Sequence, residues 1–108
     1  MITNYDEKYI NKLKEIILSL IDTEKVMVFI FGSRVSGRHA SRADIDIGLM
    51  ANEKLPRNLF HTIRNAVDES IIPWEIDIVD FTRVTPSFKD EALKDIIIWN
   101  KPKGMSQN

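Results

Sequence analysis

The chain has 108 residues, of which 44% are hydrophobic and 29% charged, a composition typical of one globular domain with a core of its own. Its net charge of −1 provides no field for general nucleic-acid binding, and the absence of cysteine excludes disulfides and cysteine-ligated zinc. Because no apolar stretch approaches the length of a membrane span and no signal peptide is evident, we expect a soluble cytoplasmic protein that forms a single domain over residues 1–108.

The first predicted element is an amphipathic helix over residues 5–21, which Thr3 or Asn4 can cap. Its apolar residues recur at helical spacing and share one stripe. They are Ile10, Leu13, Ile16, Ile17, Leu20 and Ile21. This stripe indicates packing against a core, and its apolar side chains have no group suited to catalysis or metal binding.

A buried strand and a glycine-serine turn follow. Residues 27–31 form a short apolar run rich in β-forming side chains, which predicts a strand covered on both faces. Gly32 permits a sharp turn and the close approach of a ligand, because it has no Cβ. Ser33 can then cap a helical segment over residues 34–38, whose free N–H groups would attract a phosphate.

Basic side chains follow this turn at intervals of four residues, at Arg34, Arg38 and Arg42. On a helix they would share one side, from which guanidinium groups can bind a triphosphate. The alternative is a solvated basic loop, since a glycine-serine turn after a strand is a weak signal by itself. His39, in the same segment, is a further candidate for contact with phosphate.

The next predicted strand carries two aspartates on one face. Residues 43–47 alternate, so that Asp44 and Asp46 point to one side and the two isoleucines between and after them enter the core. Two residues along a strand span roughly 6.6 Å, which lets both carboxylates converge on one divalent ion or bridge two. Alone, this pattern is more typical of an ordinary acidic strand. Ten residues after a glycine-serine turn, it is a much rarer combination.

A third carboxylate is predicted on a later strand, residues 74–79, in which Glu75 and Asp77 alternate with apolar residues. If this strand pairs with the strand of the two aspartates, Asp77 projects toward them, because neighbouring strands lie about 4.8 Å apart. Glu75 is the alternative third ligand. We expect Asp80 on the opposite face or past the strand end.

The remaining elements are two helices and a short apolar run. Residues 56–70 are predicted to be helical, with a basic outer face on which His61 is an ordinary surface residue. A second helix is predicted to end near Asp95 and to begin either at Thr85-Pro86 or with Ser87 and Asp90 as a variant of the capping box. Residues 96–99 are either a last strand or the buried end of that helix, and residues 101–108 are expected to be a frayed tail.

This order of elements predicts an α/β (α+β) fold. We expect a mixed β-sheet with helices packed on one face and an open face that carries the carboxylates. An acidic sheet face beside a helix N-terminus is a suitable place for a metal-bound nucleotide.

The spacing of Gly32-Ser33, Asp44-Ile45-Asp46 and a later Asp77 resembles the motif of the DNA polymerase beta-type nucleotidyltransferase superfamily. Within it, the chain is most similar to the minimal nucleotidyltransferases, the antitoxin partners of HEPN-domain proteins, over roughly residues 5–100. Many members have serine before the first aspartate, where this chain has Ala43. That side chain is not a metal ligand.

The resemblance implies ATP as the substrate and two Mg²⁺ ions held by Asp44, Asp46 and Asp77. Gly32 and Ser33, helped by Arg34 or Arg38, would bind the triphosphate. The implied acceptor is a tyrosine hydroxyl of a HEPN-domain toxin, which AMP attachment would silence. Two alternatives remain: an antitoxin that neutralises its partner by binding alone, and a small-molecule nucleotidyltransferase, which normally has a second domain.

Overall fold

The fold is that of a computed structural model, which describes residues 4–32 and 45–105. These residues form three helices and four strands, named here in chain order. They are α1 (Asn4–Leu20), β1 (Met27–Phe31), β2 (Ile45–Met50), α2 (Arg57–Asp68), β3 (Ile76–Asp80), α3 (Pro86–Ala92) and β4 (Ile97–Asn100). The predicted helix over residues 34–38 lies outside the described residues.

The four strands form one mixed sheet in the order β3-β2-β1-β4. Strand β1 is antiparallel to both of its neighbours, whereas β2 and β3 are parallel. Parallel neighbours need a crossover connection, and α2 supplies it between β2 and β3. The predicted mixed sheet is therefore confirmed, and with it the expected pairing of the two strands that carry the aspartates.

Helices α1 and α2 pack on one face of this sheet. The face is built from alternate residues of the strands, which meet the apolar stripes of both helices in one buried cluster. Its fully buried members are Leu13, Ile17, Val28, Ile45, Ile47, Leu49 and Ile63. This layer of the core agrees with the helix stripes predicted above.

The opposite face is less open than expected. The other residues of β1, Met27, Phe29 and Phe31, are also apolar. Together with Met50, Phe81 and Met105 they form a second buried cluster. Helix α3 and the turn before β4 pack against it through Ala92, Leu93 and Ile96. A strand that is apolar on both faces needs cover on both, so part of the carboxylate side is occupied.

The expectation of a frayed tail is wrong for residues 101–105. Pro102 is buried, and Met105 is only 8% exposed because its side chain packs in the second cluster. Residues 106–108 lie outside the described part of the chain.

The end of the chain also resolves the ambiguity over residues 96–99. Helix α3 ends at Ala92, three residues before the predicted end, and β4 then pairs with β1, placing Ile97 opposite Ile30. Thr85 begins α3 as expected, since its hydroxyl accepts a hydrogen bond from the Phe88 N–H at 3.3 Å. In the described ranges, no helix is both long and apolar enough to cross a membrane.

Candidate functional site

The candidate site begins at the end of β1, where the chain turns at Gly32. This residue has a φ of +89°, a backbone conformation that favours glycine. A Cβ atom at this position would lie 2.4 Å from Oδ2 of Asp46. The turn is thus formed directly against a carboxylate, and any larger residue would displace one of the two.

Asp46 lies in β2, which stands in the sheet between β1, the strand that ends at the Gly32 turn, and β3. Across the antiparallel pair its Cα partner is Phe31, and across the parallel pair it is Asp77. Partners in register share a face of the sheet, so the Asp46 and Asp77 side chains project to the same side. Asp46 is half-buried, whereas the side chain of Asp77 is 65% exposed.

The register also separates Asp77 from its alternative. Glu75 precedes β3, and its carbonyl accepts a hydrogen bond from the Ile45 N–H at 3.0 Å. It therefore lies one residue before Ile76, the first residue of β3 that has a Cα partner in β2. Its side chain is exposed. Asp77 is therefore the carboxylate that stands beside Asp46, although its role as a ligand stays a prediction.

Arg64 of α2 approaches Asp77 around the edge strand. Its Nη2 atom lies 3.9 Å from Oδ1 of Asp77, and the two side chains are 48% and 65% exposed. Such an exposed pair is screened by solvent and adds little to stability. It does place a positive charge beside the carboxylates.

Asp80 does not belong to this site. It lies at the end of β3 with the alternation opposite to that of Asp77, as expected, and takes part in a separate network. The Thr82 N–H donates to its carboxylate at 2.9 Å, and the Thr82 hydroxyl and the Arg83 guanidinium also donate. Partial burial favours a higher pKa for Asp80, but these hydrogen bonds and the charge of Arg83 outweigh burial and lower the pKa below its ordinary value.

The other predicted site residues, Asp44, Ser33, Arg34 and Arg38, lie outside the described residues, as does His39. Within residues 4–32 and 45–105, no three histidine, cysteine, aspartate or glutamate side chains come close enough to hold a metal ion together. The described part of the site is therefore Gly32 with the Asp46–Asp77 pair.

This part suits a divalent cation and a polyphosphate. Two adjacent carboxylates provide the oxygen ligands that Mg²⁺ prefers. Because Gly32 has no Cβ, the Asp46 carboxylate lies directly against the backbone of the turn, so a cation held by that carboxylate would stand beside the turn. The residues present therefore fit a metal-bound nucleotide.

An aromatic cluster beside the site was not predicted. Phe31, Phe81 and Phe88 contact one another, and Phe88 on α3 is 42% exposed. No sequence pattern pointed to this cluster, because its members come from three separate segments and have no common spacing.

Comparisons with known proteins place this geometry in a class. The chain shares its fold with a crystal structure of a toxin-antitoxin with AMP-PNP, which it matches with a TM-score of 0.62. The match has 20% identity and covers 86% of this chain and 73% of that one. A family model described as polymerase beta, nucleotidyltransferase, matches residues 11–103, and the chain belongs to this family.

Two relatives give the similarity more detail. The chain is 28% identical over 71 residues to a probable protein adenylyltransferase MntA of Haemophilus influenzae, covering 66% of this chain and 62% of that relative's length. It also resembles the structure of a tri-AMPylated Shewanella oneidensis HEPN toxin in complex with an MNT antitoxin. That match has a TM-score of 0.56 and 18% identity, and it covers 86% of this chain and 70% of the other.

Proposed function

We propose that this chain is a metal-dependent protein adenylyltransferase that transfers AMP from ATP to a tyrosine hydroxyl of a HEPN-domain toxin and releases pyrophosphate. The observation that carries the proposal is the Asp46–Asp77 pair on one sheet face, with the Asp46 carboxylate directly against the Gly32 turn. Membership of the polymerase beta nucleotidyltransferase family supports the reaction class. The named activity of the MntA relative supports the acceptor class.

Asp44, Asp46 and Asp77 would hold two Mg²⁺ ions. When bound, such ions neutralise the charge of the triphosphate and of the departing pyrophosphate, and they lower the pKa of the attacking hydroxyl. The structure supports this assignment through the register of Asp46 and Asp77, and the sequence supports it through the position of Asp44 two residues before Asp46.

The chain's own groups divide the remaining work. Gly32 and Ser33 bind the triphosphate through backbone N–H groups and the serine hydroxyl, and Arg34 or Arg38 adds positive charge. Asp77 is exposed enough to reach an incoming acceptor and takes the proton of its hydroxyl as the oxygen attacks the α-phosphate. The bond to the α-phosphate forms on the acceptor oxygen while the bond to pyrophosphate breaks.

The partner would complete the site. Residues 1–108 act in this proposal as one minimal nucleotidyltransferase domain in the cytoplasm, and the acceptor protein supplies the wall that positions its own tyrosine. Solved relatives that carry a nucleotide or an AMPylated HEPN toxin support this arrangement. A purified chain that modified a small alcohol or an amino sugar at full rate by itself would contradict it.

The test is transfer of label from α-labelled ATP to a co-expressed HEPN partner in the presence of Mg²⁺. The Asp44→Asn/Asp46→Asn double variant is compared with Glu75→Gln, a matched change of an exposed carboxylate near the site. Label that disappears only in the double variant supports the enzyme. Absence of label, with a complex that forms equally well in the double variant, would instead indicate neutralisation by binding.

A further inference from the structure

Four phenylalanine rings form a continuous cluster on the carboxylate face of the sheet. Phe29, Phe31 and Phe81 are buried, and their ring centroids lie 4.9 to 6.0 Å apart. Phe88 adds the outermost ring, with its centroid 6.2 Å from Phe31 and 5.6 Å from Phe81. It is the exposed ring of this cluster, at 42% of its surface.

The cluster adjoins the candidate site through Phe31. This residue precedes the Gly32 turn, and its Cα is the cross-strand partner of Asp46, so both side chains lie on the same face. Because Phe88 contacts the Phe31 ring edge-to-face, the exposed ring lies one side chain away from the carboxylate pair.

The Phe88 ring is also held in place. It packs against the buried rings of Phe31 and Phe81. At the start of α3, the backbone N–H of Phe88 donates a hydrogen bond to the Thr85 hydroxyl. A fixed aromatic ring loses little conformational freedom when a flat ligand stacks on it. An exposed, supported ring beside a phosphate and metal site is the feature that binds nucleobases by stacking.

We propose that Phe88 is the platform on which the base of the nucleoside triphosphate stacks. This inference rests on the proposed function, because it assumes that the triphosphate lies at the Gly32 turn. With the phosphates there, the ribose and base extend across Phe31 toward the Phe88 ring. Stacking uses the π-face that every base possesses, so Phe88 contributes affinity for the base without selecting adenine over guanine.

The experiment is titration calorimetry of the full chain with three Mg²⁺-bound probes: ATP, GTP and inorganic tripolyphosphate. Phe88→Ala and Phe88→Leu remove the aromatic face, and leucine keeps most of the apolar packing on Phe31 and Phe81. Phe88→Trp restores an aromatic face. Ile71→Ala is the matched control, because Ile71 is another large apolar side chain, 60% exposed and outside the cluster.

Phe88→Ala and Phe88→Leu are expected to weaken binding of ATP and GTP about tenfold, the effect of losing one base–aromatic stack. Both should bind tripolyphosphate as the unaltered chain does, and Phe88→Trp and Ile71→Ala should retain nucleotide affinity. Equal affinity of Phe88→Leu and the unaltered chain for ATP would overturn the inference. Failure of the unaltered chain to bind Mg²⁺-ATP would overturn the proposed function as well.

Discussion

Gly32 and the carboxylate of Asp46 occupy adjoining volumes, since a Cβ on residue 32 would stand 2.4 Å from Oδ2 of Asp46. The carboxylate belongs to a side chain of β2 and the turn follows β1, its neighbour in the sheet, so an added Cβ would force the Asp46 side chain to move away. Two separate requirements therefore act on residue 32: a positive φ and the absence of a side chain.

Gly32→Ala is expected to lower transfer activity about 100-fold. The added Cβ would displace the Asp46 carboxylate, and a misplacement of about 1 Å can reduce a rate by that factor. The positive φ adds a loss of about 1–2 kcal/mol in the free energy of unfolding. The matched control is Gly104→Ala, at a φ of +82° with no atom within 4 Å of the added Cβ. Label transfer and thermal unfolding of both variants separate the cost of the positive φ from the effect of the Cβ on Asp46. Similar activity of the two variants would count against a role for the contact between residue 32 and Asp46.

Asp77→Asn is expected to reduce transfer at least about 100-fold, since in the proposed mechanism the variant removes both a metal ligand and the proton acceptor. Glu75→Gln should leave the rate unchanged, because its side chain stands before the register that joins Asp46 to Asp77. Initial rates at saturating ATP measure both. The reverse ranking of the two variants would make Glu75 the third carboxylate.

The pKa of Asp80 is lowered in the folded chain, so its network stabilises the fold fully above the ordinary carboxyl pKa. This stabilisation is lost as the pH falls toward and through the lowered pKa. Asp80→Asn should therefore cost about 1–2 kcal/mol at pH 7 and progressively less below about pH 4. Urea unfolding of both proteins across this range measures the difference, and a cost that stays constant with pH would show that the charge of Asp80 is irrelevant.

Gly48→Ala is expected to lower the free energy of unfolding by about 1–3 kcal/mol, because the added methyl group overpacks the second cluster. Its Cβ would lie 2.4 Å from the Phe29 ring and 2.8 Å from the Phe81 ring. Phe29→Leu in the same chain makes room, so the double variant should lose less stability than the two single losses combined. Strict additivity in chemical denaturation would show that the methyl group is accommodated in another way.

Much of the fold could be predicted because its patterns are local. The bounds of β1 match the apolar run over residues 27–31, and the alternation in β2 and β3 correctly placed Asp46 and Asp77 on one face. The sequence leaves the pairing of these two strands as a condition, because no local pattern specifies which strands are neighbours, and the structure meets that condition.

The remaining features depend on tertiary contacts that have no local pattern. Residues 96–99 suit a helix or a strand equally well, and the pairing of Ile97 and Ile98 with β1 decides for a strand that begins at Ile97. Met105 is an apolar residue in a polar tail, and its burial depends on the second cluster, which is assembled from other parts of the chain. The position of Phe88 could not be predicted for the same reason, because its ring is placed by contacts with Phe31 and Phe81 rather than by its own segment.

The two apolar clusters on opposite faces of the sheet make this small domain suitable for engineering. The helix layer, centred on Leu13, Ile17 and Ile63, contacts one side of β2, whereas Asp46 projects from the other. Volume-conserving substitutions in that layer should therefore cost less than about 1.5 kcal/mol while the carboxylate side keeps its shape.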